Sequence, residues 1–419
     1  MAGKFVLDCA YCARRHDPSY QGIRCASCDG PLVVNTDLSP LKVRRLSTGD
    51  LRDPGLSGMW GYFPFLPIAD RGAIVSLGEG STPLTRAGRL AEELGIETLY
   101  LKDETHNPTG SFKDRMLAVG VTRARELGKQ IIAVQSSGNV AAAAAAYAAK
   151  AGLQAKIFVP RTAPEEKLVQ TLMYGADLFR IDHSSPAEIF ELLLWACREF
   201  DWYLASTAGI YNPFTLEGAK TIAYEIAEQT GFELPDWVIA PVGGGGNLGS
   251  LWRGFKDLRH LGLVKRLPRM AGVQVAGCAP FVEAVRLGRS AQEALAWHWP
   301  EIKTIAGAIA DDVVFDAHIA LPAVWESEGT AVAVTDEEAL ALEYVLASTE
   351  GIFVEPASAT ALAALKKLAG EGQIRRQDRV CCVLTGLGFK DMTAARTLVP
   401  PIETIRLSRE AVTARVRRR

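Results

Sequence analysis

From about Leu99 onward, short apolar runs alternate with alanine-rich or amphipathic stretches, and glycine-rich turns fall where the apolar runs end. Ile131–Gln135, Ala155–Val159 and Leu178–Ile181 read as strands, and Trp237–Val242 and Arg379–Leu384 as strands of the buried type. Val140–Lys150 reads as a helix that Gly152 stops. Thr162-Ala-Pro-Glu165 reads as a capping box opening a helix to Tyr174, and Ser185-Pro-Ala-Glu188 as the cap of a helix over Ala187–Phe200. Strands that alternate with helices build a largely parallel sheet covered by helices, which places the chain in the α/β class. Ligands in such folds collect beyond the carboxyl ends of the strands. Three unusual turns are expected there: Ser136-Ser-Gly-Asn139, Gly243-Gly-Gly-Gly-Asn247 and Thr385-Gly-Leu-Gly388.

The 419 residues allow about two or three domains. Residues 36–75, rich in Pro, Gly and aromatics (Trp60, Tyr62, Phe63, Phe65), read as a connecting arm. A net charge of −2 gives the whole molecule no attraction for nucleic acid or an acidic membrane surface. The most apolar stretch, Ala141–Ala146, is too short to cross a bilayer, and the first residues lack the apolar core of a secretory signal. The expectation is a soluble cytoplasmic protein. Arg415, Arg417, Arg418 and Arg419 form a basic tail that reads as a frayed, solvated end.

Four of the eight cysteines fall in two knuckles, Cys9-x2-Cys12 and Cys25-x2-Cys28. Two such knuckles supply the tetrahedral sulfur set that structural zinc prefers. Four thiolates leave no open position for water, so the site reads as structural. The alternative is a set of free thiols on a floppy terminus. Clustering of this kind also suits a reducing compartment better than a disulfide framework.

Gly243–Asn247 follows a strand and leads into a helix. Such a loop can turn several N–H groups toward one point and bind a phosphate. No Lys-Ser/Thr follows it, and it lacks the G-x-G-x-x-G spacing. The alternative is a glycine-rich hinge. Asn107-Pro-Thr-Gly-Ser-Phe-Lys113-Asp-Arg115 places a lysine at a helix start, where the helix dipole disfavours a cation. The same position favours the neutral amine, which is the form that makes a Schiff base. The alternative is an ordinary surface lysine.

NPTGSFKDR, SSGN, GGGGN, EPAS and TGLGFKD, in that order, resemble the pyridoxal phosphate (PLP) enzymes of the tryptophan synthase β fold. Within them the chain is most similar to the threonine synthase family. SLGEGSTPL (76–84), GIFVEPASA (351–359) and the cysteine ribbon point the same way. The resemblance implies a two-domain PLP fold of type II behind an N-terminal zinc ribbon. Residues 1–40 are the ribbon, 41–115 with 208–405 the large cofactor domain, 116–207 a small mobile domain, and 406–419 the tail. It further implies that Lys113 holds the cofactor and later moves the Cα proton, and that Asn139 meets the cofactor's 3-hydroxyl. Gly243, Gly244, Gly245, Gly246 and Asn247 cradle its phosphate, and Thr385 meets the pyridine nitrogen. Ser136, Ser137 and Gly138 grip the substrate carboxylate. A homodimer acting on a small amino-acid substrate is implied as well.

The sequence departs from that family at the leaving-group end. Val140 stands where the family has threonine, and Thr215 where Asn212-Pro-Phe-Thr215 should end in arginine. Losing an arginine removes a bidentate contact to phosphate of roughly 1.5–3 kcal/mol or more. Arg161, Lys167 or Lys220 are candidates to compensate. The leading expectation is the conversion of O-phosphohomoserine and water to threonine and phosphate. The alternatives are β-elimination or β-replacement on another amino acid, such as a threonine or serine ammonia-lyase reaction, and a catalytically dead PLP fold serving as a binding module.

Overall fold

The computed structural model describes residues 4–43 and 51–417. Arg418 and Arg419 of the basic tail lie outside them, as does part of the expected connecting arm. The first sheet is antiparallel, in the order β2-β1-β3, from β1 (Phe5–Cys9), β2 (Arg15–His16) and β3 (Leu32–Thr36). Phe5, Leu7 and Cys9 alternate inward along β1 and, with Leu32 and Val34, close over Phe214 of the main body.

A second sheet has the order β8-β7-β6-β9, from β6 (Ile131–Gln135), β7 (Gln154–Pro160), β8 (Asp177–Ile181) and β9 (Tyr203–Leu204). Every pair in it is parallel. The third and largest has the order β12-β11-β10-β13-β5-β4. Its strands are β4 (Leu84–Arg86), β5 (Thr98–Asp103), β10 (Trp237–Pro241), β11 (Arg269–Val275), β12 (Thr330–Val334) and β13 (Arg379–Leu384). The edge strand β4 runs antiparallel and the rest are parallel. β10 and β13 are buried almost throughout, as expected for strands covered on both faces.

Strand order reverses at β10/β13 in the large sheet and at β6/β9 in the smaller one. Such switch points open a crevice at the strands' carboxyl ends. Gly243–Asn247 follows β10, Thr385–Gly388 follows β13, and Ser136–Asn139 follows β6, so all three turns sit at switch points.

Two expectations need correction. Within the segment read as a connecting arm, the stretch over Gly58–Phe65 is core: Trp60, Tyr62 and Phe65 are fully buried in a 3-10 turn. Large aromatics among Pro and Gly were packing groups held in a tight turn. The expected capping box at Thr162 does not form either. The helix Glu165–Met173 starts from Pro164 with no side-chain cap. Ser185, by contrast, caps the helix Pro186–Glu199 through the Glu188 N–H.

Behind the helix Lys113–Glu126 lies a fully buried charge cluster. Arg115 is bidentate to Glu104 at 2.6 and 2.8 Å and bidentate to Glu225 at 2.8 Å. Lys102 adds a third bond to Glu225 at 2.7 Å. Arg115 and Lys102 hold Glu225 well below the usual carboxylate range against the cost of burial. The cluster ties β5 and the helix Pro213–Gln229 to the helix that begins at Lys113.

Candidate active site

Both switch points open into one cleft of about 1730 Å³. Lys113 lines it from the first position of its helix. Its Nζ donates to Thr207 Oγ1 at 3.2 Å. Burial lowers its pKa, while the charges of Asp311, Asp316 and Glu355 act in the opposite direction. The net effect favours the neutral, nucleophilic amine.

Asn139 opens the helix Asn139–Ala151. Its Nδ2 donates to Glu355 Oε1 and Oε2 at 3.2 Å, and its buried Oδ1 has no protein partner. Gly243–Asn247 lines the cleft below. Gly245 sits at φ +100°, and a Cβ there would come within 2.7 Å of Ala320, so only glycine fits. Both polar atoms of the Asn247 side chain are buried and unpartnered. Thr385 closes the far wall. Its hydroxyl lies 2.8 Å from Ser358 Oγ, which also accepts the Thr385 and Gly386 N–H groups. Ser136, Ser137, Gly138 and Val140 line the same cleft, with Ser136 Oγ accepting the Gly138 N–H.

Thr215 is not brought to the cleft. It is fully buried, and its hydroxyl is spent on the carbonyls of Ser206 and Asn212. Helix phase decides this: Thr215 faces the helix Lys113–Glu126, where a Cβ on Gly120 would lie 2.8 Å from its Cγ2. Of the three cations considered as substitutes, Lys220 is buried against Glu217 and Asp257, and Arg161 pairs with Asp182 at the exposed surface. Lys167 does line the cleft, paired with Asp391 at 2.8 Å. Lys390 stands beside it, bonded to Gln170.

Sequence reading gave no role to Thr207, Asp311, Asp316, Glu355 or Ser358, although all but Ser358 line the cleft. Glu355 and Ser358 lie inside the quoted EPAS motif, and that was the available signal. Thr207, Asp311 and Asp316 belong to no motif.

Residues 75–386 match the family model for pyridoxal-phosphate dependent enzymes. A threonine synthase of Methanocaldococcus jannaschii is 42% identical over 92% of this chain and 93% of the relative. One of Methanosarcina acetivorans is 40% identical over 92% of each. The chain belongs to the threonine synthase family of PLP-dependent enzymes. Solved structures with the same fold include a threonine deaminase of Solanum lycopersicum, at TM-score 0.64 and 21% identity over 76% of this chain and 87% of that one. An L-serine ammonia-lyase of Rhizomucor miehei aligns at TM-score 0.63 and 22% identity over 76% and 97%.

The family's cofactor is PLP, and the residues present fit it. The glycine loop curls at a helix N-terminus, a neutral-leaning amine lines the same cleft, and the Asn139 Oδ1 and both polar atoms of the Asn247 side chain are buried without a protein partner. Asp311 and Asp316 lie against the loop, and burial raises both, Asp316 to about 7. Proton uptake there lowers the charge that a phosphate meets.

Outside the cleft, the sulfurs of Cys9, Cys12, Cys25 and Cys28 lie within 4.8 Å of one another. Cys9–Cys28 and Cys12–Cys25 are 3.4 and 3.7 Å apart. Sulfurs bound to zinc at about 2.3 Å sit about 3.8 Å apart on a tetrahedron, so the set fits one ion. The Tyr11 and Cys12 N–H groups point at Cys9 Sγ, and His16 Nε2 lies 3.3 Å from Cys25 Sγ. Among the described residues, no helix is long and apolar enough to cross a membrane.

Proposed function

We propose that this enzyme converts O-phosphohomoserine and water to threonine and phosphate. The reading is carried by one juxtaposition: a neutral-leaning Lys113 amine in the same cleft as the glycine loop, Asn139 and Thr385. Bound PLP supplies an electron sink for the carbanion formed when the Cα proton leaves. Lys113 would hold the cofactor and move that proton. Gly243–Asn247 would take the cofactor phosphate, Asn139 its 3-hydroxyl and Thr385 its pyridine nitrogen. Thr385 offers a hydroxyl rather than a carboxylate, so the ring nitrogen is not held protonated and elimination is favoured over transamination. Ser136, Ser137 and Gly138 would orient the substrate carboxylate. Lys167 and Lys390, which line the cleft, would supply positive charge for a leaving phosphate in place of the arginine absent at 215.

Phosphate release from O-phosphohomoserine, compared with keto-acid release from threonine and serine, tests the assignment. Phosphate release should exceed the other two by at least about a hundredfold in kcat/KM. Val140 and the buried Thr215 favour one second reading, elimination or replacement on an amino acid with an uncharged leaving group. Dominant keto-acid release would establish it.

One structural zinc on Cys9, Cys12, Cys25 and Cys28 completes the reading. Metal analysis should give about one zinc per chain, and Cys9→Ser/Cys12→Ser should lose it. The proposal also includes residues 116–207 as a small domain that moves against 41–115 with 208–405, a homodimer in solution, and a cytoplasmic location. Light scattering at working concentration tests the dimer.

A further inference from the structure

Resting on Lys113 as the cofactor-bearing lysine, we propose that Thr207 is the positioning residue for its amine, and that Thr215 in turn positions Thr207. The hydrogen bond on Lys113 Nζ runs to Thr207 Oγ1 at 3.2 Å. A hydroxyl is neutral and both donates and accepts. It can aim an amine without fixing its charge, whereas a carboxylate in the same place would hold the ammonium. Threonine is also stiff at χ1, so its hydroxyl direction follows its backbone.

That backbone is pinned from both sides of the cleft. Thr207 lies between β9 and the helix Pro213–Gln229. The Ala205 N–H bonds the Ala133 carbonyl of the smaller sheet at 2.9 Å, and the Ile210 N–H bonds Asp316 Oδ1 at 3.0 Å. Ser206 Oγ accepts the Ala208 N–H, and the Asn212 N–H returns to the Ala208 carbonyl. The remaining carbonyl next to Thr207, that of Ser206, takes the Thr215 hydroxyl at 2.9 Å. Thr215 Cγ2 meanwhile packs against Gly120 on the helix that carries Lys113. One buried side chain therefore sets the spacing between the helix bearing the amine and the loop bearing its partner. This gives Thr215 a role that its distance from any leaving group leaves open.

The test uses full-length enzyme stripped of cofactor and mixed with PLP, following the visible absorption of the adduct on Lys113. The amine nitrogen adds to the aldehyde carbon and water leaves, so the rate reports how well the amine is aimed. Thr207→Val should slow it by about tenfold or more, and Thr207→Ser should stay within about twofold of wild type. Thr215→Val should slow it by about threefold, and the double variant Thr207→Val/Thr215→Val should match Thr207→Val alone, because the two act as one chain. A Thr207→Val rate equal to wild type, or a Thr207→Ser rate as low as that of Thr207→Val, overturns the role of Thr207. Additive effects in the double variant overturn the role of Thr215. Wild-type enzyme that takes up no PLP would instead refute the cofactor reading beneath both.

Discussion

Two residues apart on one helix, Lys113 and Arg115 face opposite polar environments. Arg115 looks into a sealed cluster in which Glu104, Glu225, Thr82 and Thr221 take its guanidinium protons. Lys113 looks into a cleft where, among the described residues, its hydrogen bond is to one hydroxyl, and where the amides of Asn139 and Asn247 keep unpartnered atoms. Buried polar groups are normally satisfied, and each exception asks for a reason. Saturated charge at Arg115 is architecture that fixes the helix. Unsaturated polarity at Lys113 is a site waiting for a ligand.

The largest effects should separate these roles. Lys113→Ala should lower kcat/KM by about three to four orders of magnitude, since the proton transfer and covalent attachment proposed for the amine would both go with it. Its thermal midpoint without PLP should equal or exceed that of wild type, because an amine whose charged form burial disfavours is removed. Arg115→Met should do the reverse. Leaving Glu104 and Glu225 buried without their partner should cost about 3–5 kcal/mol in urea unfolding. A destabilisation under about 1 kcal/mol would break the comparison, because the cluster would then not be what holds the helix.

The same contrast explains what was legible in the sequence. Lys113, the loop Gly243–Asn247 and the four cysteines are marked by rare local patterns, namely a helix start, a special turn and a paired spacing, whereas Asn139 and Thr385 were picked out by the family resemblance of the turns that hold them. Thr207, Asp311 and Asp316 are common residue types that the topology carries to Lys113 from far along the chain, so no local pattern marks them. Thr215 is the opposite case. Aligning a motif put it near a substrate, but helix phase turned it into the packing against Gly120. Trp60, Tyr62 and Phe65 were hidden by the Pro and Gly around them, which read as loop and serve as a buried turn.

Thr215→Arg sharpens the comparison from the architectural side. If Thr215 pointed at a leaving group, a guanidinium there would raise kcat/KM for O-phosphohomoserine. The buried placement gives the other sign. A side chain several atoms longer, pressed between two helices, should cost about 1–3 kcal/mol or more by overpacking. Activity on O-phosphohomoserine should fall with it. A rise in kcat/KM would place residue 215 in the cleft after all.

The smallest effect is a slope, and between pH 5 and 7 the cleft gives one where the charge cluster gives none. Burial raises Asp316 in the cleft from 3.8 to about 7. Below its unfolded value it is protonated in both states, and its contribution to stability is fully present. As pH rises toward 7 the unfolded chain releases a proton that the folded chain keeps, so stability falls by at most about 1.4 kcal/mol per pH unit for this group. Asp114 and Glu343, also raised to about 7, carry the same sign. Glu225 is depressed, so its contribution is present above 4.5 and lost only as pH falls through its folded value. Between pH 5 and 7 it adds no slope. Burial pushes His318 down to about 3, which adds a rising slope below 6.5, but it is one group against three, so unfolding free energies of the PLP-free protein across that range should decline for wild type and decline less steeply for Asp316→Asn. Asparagine keeps an oxygen for the Ile210 N–H but has no proton to lose. Glu225→Gln should lie below wild type by a constant amount and run parallel to it. An Asp316→Asn line as steep as that of wild type would mean that the cleft carboxylate is already ionised in the folded protein, and the contrast between a saturated and an unsaturated region would then not extend to its protons.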